Sequence, residues 1–263
     1  MKSVLVTGAN GGMGAATVEA LCKKGFRVFA LDINAGEKSE NIIPIQTDIT
    51  SEESIRHAFD TVIGYTDNLY AIIHFAGIYM LDSLAEMSST DFKRIFDVNL
   101  QGVFLVNKIF LKLLSEDSRI LITTSELAVL DPLPFTGVYA VTKAALDKYA
   151  YSLRMELQLL KINVSVLRAG AVETGMIGAS TDALERFCEN TKLYSCNAKR
   201  FRKIVDSVEA KSISPKKVAD KVVKIIESKH PSFAYSINRN ALLLLMNVLP
   251  RGMQFWIIRK ILK

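Results

Sequence analysis

Along the chain, two hydrophobic periods take turns. Short, mostly apolar runs recur as SVLVT from Ser3, RVFALD from Arg27, IIPIQ from Ile42, YAIIHF from Tyr70, RILITT from Arg119, NVSVLR from Asn163 and SFAYSI from Ser232. Runs this short and this apolar predict strands covered on both faces, as in a parallel sheet. Between them, helical spacing extends over residues 12–24, 51–66, 84–115, 138–161 and 215–229. The last of these opens with Ser214 placed as N-cap and Pro215 at the first helical position. Such regular alternation predicts a doubly wound α/β fold of about seven parallel strands flanked by helices. No linker, repeat or low-complexity segment breaks it, so residues 1–263 read as one domain.

Composition narrows the class. A chain of 263 residues with 49% hydrophobic content has ample material for a core. Cys22, Cys188 and Cys196, with His57, His74 and His230, fit neither a disulfide framework nor metal-ligand spacing. Reduced thiols and a cytoplasmic location are expected. The opening MKSVLVTG is needed as a strand, so no signal peptide is expected. No apolar run approaches the roughly 20 residues that span a bilayer. The charge is uneven: residues 1–191 carry a formal −6 and residues 192–263 a formal +12. A basic face near the C-terminus suits an anionic lipid or an acidic substrate, or is simply a solvated surface. No nucleic-acid recognition motif accompanies it, so no nucleic-acid partner is expected.

The densest local signal is TGANGGMG, residues 7–14, between the first strand and the first helix. There, unpaired N–H groups and the positive end of a helix dipole face whatever occupies the turn. Gly8 allows a tight turn, Gly12 allows backbone to approach a pyrophosphate, and Gly14 permits close helix–sheet packing. Gly11 is additional and adds only flexibility. The second strand ends at Asp32, whose carboxylate can accept both hydroxyls of an adenosine ribose and would repel a 2′-phosphate. No Lys or Arg lies in the turn, so NAD(H) is favoured over NADP(H).

With its T-G-x-x-x-G-x-G spacing, this turn resembles that of the short-chain dehydrogenase/reductase family, a single-domain Rossmann-like fold, and the resemblance runs along nearly the whole chain. DIT from Asp48, DVNLQGVFLV from Asp97, ITTSE from Ile122, YAVTK from Tyr139 and RAGAVET from Arg168 resemble the family's further motifs. The resemblance assigns cofactor contacts to Thr7, Gly8, Asn10, Gly12, Met13, Gly14, Asp32, Asp48, Ile49, Ala76, Gly77, Tyr139, Lys143, Val172 and Thr174. It implies a catalytic tetrad of Asn99, Ser125, Tyr139 and Lys143. Tyr139 would be the acid/base, Ser125 would hold the reacting oxygen, and Asn99 would hold a water that links Lys143 to solvent.

Physical chemistry supports part of this directly. Tyr139 and Lys143 are i and i+4, so a helix presents them on one face. A nearby ammonium, helped by the positive charge of an oxidised nicotinamide, is expected to lower the phenol's pKa from its usual value of about 10. Ser125 closes a buried strand, and Asn99 lies inside a helix, where its propensity is poor. The chain also departs from the family. HFAG, residues 74–77, replaces an asparagine-bearing turn, and His74 reads as a structural replacement rather than a base. Ser125 and Tyr139 are one residue further apart than expected, which implies an extra loop residue near LDPLP. Ala169-Gly170 stands where a Pro-Gly is usual, predicting a less rigid turn.

The implied function is hydride transfer between NAD(H) and a hydrophobic secondary alcohol or ketone, with steroid-, retinoid- and acyl-like substrates all open. The alternative is a non-catalytic NAD(H)-sensing protein on the same fold. A variable lid is expected at about 175–212, where Met176, Ile177, Leu184, Phe187, Leu193, Tyr194 and Phe201 can line a pocket or belong to the core. The family resemblance implies a homodimer or homotetramer through segments 84–115 and 138–161. The basic tail of about 240–263 combines Phe255, Trp256, Ile257, Ile258, Ile261 and Leu262 with Arg251, Arg259, Lys260 and Lys263. It is either a peripheral membrane contact or a buried subunit contact.

Overall fold

The computed structural model describes residues 1–207 and 212–263. Among them, β1 (Ser3–Thr7), β2 (Arg27–Asp32), β3 (Ile42–Gln46), β4 (Ala71–His74), β5 (Arg119–Ser125), β6 (Asn163–Ala169) and β7 (Ala234–Ile237) form one sheet in the order β3-β2-β1-β4-β5-β6-β7. Every pairing is parallel. Pro44, which cannot donate to a ladder, is tolerated because β3 lies at the sheet edge.

Alternate residues of each strand feed two cores. Val4, Val6, Val28, Ile73 and Leu121 pack on α1 (Gly12–Lys23) and α8 (Pro215–Glu227) through Val18, Leu21, Val218 and Val222. Leu5, Phe29, Leu31 and Ile72 face the other way, onto α2 (Glu52–Ile63) and onto α4 (Gly102–Phe110). Helix α5 (Gly137–Leu157) covers β5 and β6 through Leu146, Ala150 and Leu157. Burial on both faces explains why the strands read as continuous apolar runs.

The long helix expected over 84–115 is broken. Helix α3 (Ser89–Phe96) starts only after Ser88, whose side chain accepts the Asp91 N–H. A π-turn at Asp97–Gln101 then precedes α4. Four further helices were not expected as separate elements: α6 (Gly175–Asn190), α7 (Ser195–Ser207), α9 (Ala241–Val248) and α10 (Arg251–Leu262). The first two occupy the range in which a lid is expected, of which residues 208–211 and the Ile177 side chain lie outside the described part. Leu184, Phe187 and Phe201 are buried in a common cluster, whereas Leu193 is exposed. Among the described residues no helix is long and apolar enough to cross a membrane.

Candidate active site

The strand order reverses between β1 and β4, and their carboxyl ends open the crevice in which such sheets bind ligands. Gly8 has φ +66° there, and a Cβ on it would lie 2.5 Å from the Ala76 nitrogen. A Cβ on Gly12 would lie 2.7 Å from Thr174 Cγ2, and one on Gly14 would lie 2.0 Å from the Gly8 carbonyl oxygen. These three glycines mark where the β1 turn, the turn after β4 and the loop after β6 come together. Helix α1 begins in this space with no side-chain cap and no acidic residue in its first turn. Thr7 is buried beneath it, and Met13 packs at the edge of the core.

Asp32 is held in place at the outer end of the crevice. Its carboxylate accepts the Asn10 N–H at 2.9 Å and the Asn34 N–H at 3.1 Å. Asp48 accepts the N–H and hydroxyl of Thr50, and Ile49 is buried against Gly102. Val172 is buried and bridges Ile213, while Thr174 caps α6 by accepting the Met176 N–H. The uncapped helix start and the glycine cradle therefore fit a dinucleotide pyrophosphate.

Ser125, Tyr139, Lys143 and Asn99 are all buried and lie at the inner end of the same crevice. The Ser125 hydroxyl accepts the Leu127 N–H and stands close enough to the Tyr139 phenol to favour its ionised form. Lys143 Nζ lies 5.6 Å from the Tyr139 ring centroid and donates to the Thr123 carbonyl at 3.3 Å. A Cβ on Gly77 would lie 3.2 Å from Asn99 Oδ1 and 3.5 Å from Lys143 Nζ, so these two polar groups meet over a residue that lacks a side chain. Asn99 grips the chain at Ile78 through both ends of its amide, and its Nδ2 also donates to Thr142 Oγ1. Its place in the π-turn, a frequent mark of functional sites, accounts for a poor helix former in a helical run.

The electrostatics differ from expectation in one respect. Burial pushes the Tyr139 phenol well up, the neighbouring Tyr79 adds to this, and the Ser125 hydroxyl opposes it. Lys143 is itself desolvated, which lowers its pKa to about 8. The chain's own groups thus hold Tyr139 as a proton donor at neutral pH.

His74 is 2% exposed, with Nε2 2.9 Å from Asn107 Oδ1 and Nδ1 3.5 Å from Thr7 Oγ1. Asn107 Nδ2 donates to the Tyr149 hydroxyl, which leaves Asn107 Oδ1 to accept from the imidazole. Desolvation lowers the His74 pKa to about 4. The ring is neutral and structural, as expected. Because the unfolded chain binds this proton near pH 6.5 and the folded chain only near pH 4, stability is fully present above pH 6.5 and falls as pH drops between the two values. The loss should approach about 3 kcal/mol. In His74→Asn, urea melts across that window should lose this component; an unchanged pH dependence would refute the assignment.

Other residues that position the site left no motif in the sequence. Tyr79 packs against Tyr139 at a centroid distance of 4.9 Å, and burial raises its own pKa to about 12. Asp147, one turn beyond Lys143, holds Arg168 with two hydrogen bonds of 2.9 and 2.7 Å, which ties α5 to β6. Phe135 in the lengthened loop adopts φ +68° and contacts Phe187, Tyr194 and Phe201. The Ala169-Gly170 turn is braced by its neighbour: Gly170 N–H donates to Ile237, and Asn238 Nδ2 donates to the Ala171 carbonyl at 2.7 Å.

Two cavities lie nearby, neither of them lined by Asn99, Ser125, Tyr139 or Lys143. One of about 760 Å³ lies between Leu133, Phe135 and Gly137 on one side and Leu243, Met246 and Phe255 on the other. The second, of about 580 Å³, reaches from Tyr79 to Arg94, Arg186 and Asn190.

Residues 2–185 match the family model for short chain dehydrogenases. This chain belongs to the short-chain dehydrogenase/reductase family. The uncharacterized oxidoreductase YbbO of Escherichia coli is 30% identical over 90% of this dehydrogenase/reductase and 85% of its own length. Versicolorin reductase of Emericella nidulans is 30% identical over 66% of this chain and 70% of its own. Mouse estradiol 17-beta-dehydrogenase 2 is 33% identical over 68% of this chain but only half of that longer protein. Among solved structures, a short chain dehydrogenase family protein of Francisella tularensis superposes with a TM-score of 0.75 at 22% identity, covering 90% of this chain and 97% of that one. A 3-ketoacyl-(acyl-carrier-protein) reductase of Brucella melitensis, solved with NADH, superposes at 0.73 and 21% identity, covering 90% and 96%. Both structures share the fold of this dehydrogenase/reductase.

Proposed function

We propose that the protein is an NAD(H)-dependent oxidoreductase of a hydrophobic secondary alcohol or ketone. The observation that carries this reading is the convergence of Ser125, Tyr139, Lys143 and Asn99 beside the glycine cradle. A nicotinamide dinucleotide would be held by the turn of Gly8, Gly12 and Gly14, by Asp32 and Asp48 at the adenosine end, and by Lys143, Val172 and Thr174 at the nicotinamide end. When bound, it supplies hydride-transfer chemistry.

The chain's residues supply the rest. Ser125 donates to the carbonyl oxygen and holds it against the Tyr139 hydroxyl. Tyr139, kept protonated by its surroundings, gives its proton to that oxygen as the ketone becomes an alcohol. Lys143, beside Asn99, keeps positive charge under the emerging phenolate and links it towards solvent. The apolar cavity lined by Leu133, Phe135 and Leu243 suits a hydrophobic substrate body. The likeness to a versicolorin reductase and an estradiol 17-beta-dehydrogenase agrees with this class.

NAD(H) preference rests on Asp32, whose carboxylate is fixed by Asn10 and Asn34 where a 2′-phosphate would lie. The test follows cofactor absorbance with a panel of hydrophobic ketones and both reduced cofactors. NADH should bind more tightly than NADPH, by roughly tenfold or more for one unscreened like-charge contact. Asp32→Ala should erode that ratio. Equal affinities in the unmodified protein would sink the cofactor assignment, and no turnover with any ketone would favour a cofactor-sensing role.

Homodimer or homotetramer formation belongs to the same reading. Phe104 on α4, with Val141, Tyr151 and Met155 on α5, exposes apolar surface where such a contact would form. Cytoplasmic residence is proposed with it, from three cysteines that form no disulfide.

A further inference from the structure

The C-terminal helix pair is neither free nor enclosed. The inner faces of α9 and α10 line the larger cavity through Leu243, Met246, Gln254, Ile258 and Leu262. Leu262 is buried against the lid cluster, and its carbonyl accepts Asn197 Nδ2. Asn247 bonds the chain at Asp131, and Arg251 pairs with the Asp131 carboxylate at 3.7 Å. With both inner faces committed to one cavity, the opposite faces turn outward. On α9 that face carries Leu242, Leu245 and Val248, the last 81% exposed. On α10 it carries Met253, Trp256, Arg259, Lys260 and Lys263.

We propose that this outer face is a docking surface for an anionic lipid bilayer. Three features favour that occupant. Trp256 is 62% exposed, an unfavourable state in water but the usual one for an aromatic side chain at a membrane interface. Arg259, Lys260 and Lys263 make no ion pair among the described residues, and residues 238–263 contain no Asp or Glu. Burying these cations in a protein contact would require several acidic partners, whereas an anionic headgroup layer neutralises them while they remain hydrated. The apolar and cationic side chains also share one helix face, so the Trp256 ring can enter the interface while the long cationic stems reach its headgroups. A bilayer held here would face the outer wall of the cavity proposed for a hydrophobic substrate.

Trp256 is the sole tryptophan, so intrinsic fluorescence reports this position alone. The full chain with NADH is titrated with vesicles of phosphatidylcholine and phosphatidylglycerol, and separately with pure phosphatidylcholine. The emission should shift to the blue with the anionic vesicles at low salt, reverse as salt is raised, and change little with the neutral ones. The triple variant Arg259→Gln, Lys260→Gln, Lys263→Gln should partition roughly a hundredfold more weakly, at about fivefold per cation. Its turnover of a water-soluble ketone should equal that of the parent, which separates failure of docking from failure of the redox reading. No shift with anionic vesicles, or an equal shift in the triple variant, would overturn the proposal. So would a lipid-independent blue shift that rises with protein concentration and accompanies a doubled mass by light scattering; the face would then be a contact between copies.

Discussion

Tyr139→Phe is expected to lower kcat for ketone reduction by about 10⁴-fold, the upper end of what a positioned general acid contributes. The substitution removes one oxygen and little else. The phenyl ring keeps its place against Tyr79 and within the cluster of Ile95 and Val138, so the fold should be retained. The groups proposed to hold the cofactor also stay in place, so NADH affinity should change by less than a few-fold. The whole loss should therefore fall on kcat rather than on cofactor binding, a separation that stopped-flow and fluorescence titration measure independently. His74 is not placed to take over, because both ring nitrogens are committed to Thr7 and Asn107 on the other side of the turn. Substantial turnover in Tyr139→Phe would remove Tyr139 from the acid role.

The strands were legible because parallel strands buried on both faces leave an apolar signature that depends on few other parts of the chain. The glycine turn was legible for a related reason: contacts of 2.0 to 2.7 Å at the missing Cβ positions allow no other residue there without backbone movement. Tertiary context accounts for much of what was missed. The break at Asp97–Gln101 lies in a sequence whose helical period continues across it, and the bonds from Asn99 to Ile78 and Thr142, distant in sequence, account for that residue. The start of α3 carried a capping signal in Ser88 and Asp91 that a reading based on period alone passes over. Phe135 gives no hint of its left-handed backbone, which is compensated by three aromatic contacts from a distant part of the chain. Sequence spacing shows the lysine near Tyr139 but not the depth of burial, which among the chain's own groups pushes the phenol up.

Gly14→Ala is expected to destabilise the protein by more than about 3 kcal/mol and to abolish NADH binding, whereas Gly11→Ala should be tolerated. The two glycines are three residues apart and look alike in sequence, but their surroundings differ. A methyl group on Gly14 would sit 2.0 Å from the Gly8 oxygen and 2.9 Å from Ala9 Cα, all of it backbone that cannot rotate away. Relief would require moving the Gly8 carbonyl, which also accepts the Gly11 N–H at 3.2 Å and belongs to a residue at φ +66°. Helix α1 would have to lift from β1, opening the core at Val18 and Leu21 and pulling the helix start away from the space proposed for the pyrophosphate. For a domain of this size the melting temperature should fall by about 10 °C. At Gly11, φ is −71° and ψ is 161°, which any residue adopts, and a Cβ meets only the Gly8 oxygen at 3.4 Å. Alanine there restricts the unfolded chain without straining the folded one, so Gly11→Ala should melt at or slightly above the parent temperature. Parallel thermal melts and NADH titrations of the two variants check both halves. A Gly14→Ala protein that melts and binds like the parent would mean that the helix does not approach the turn this closely.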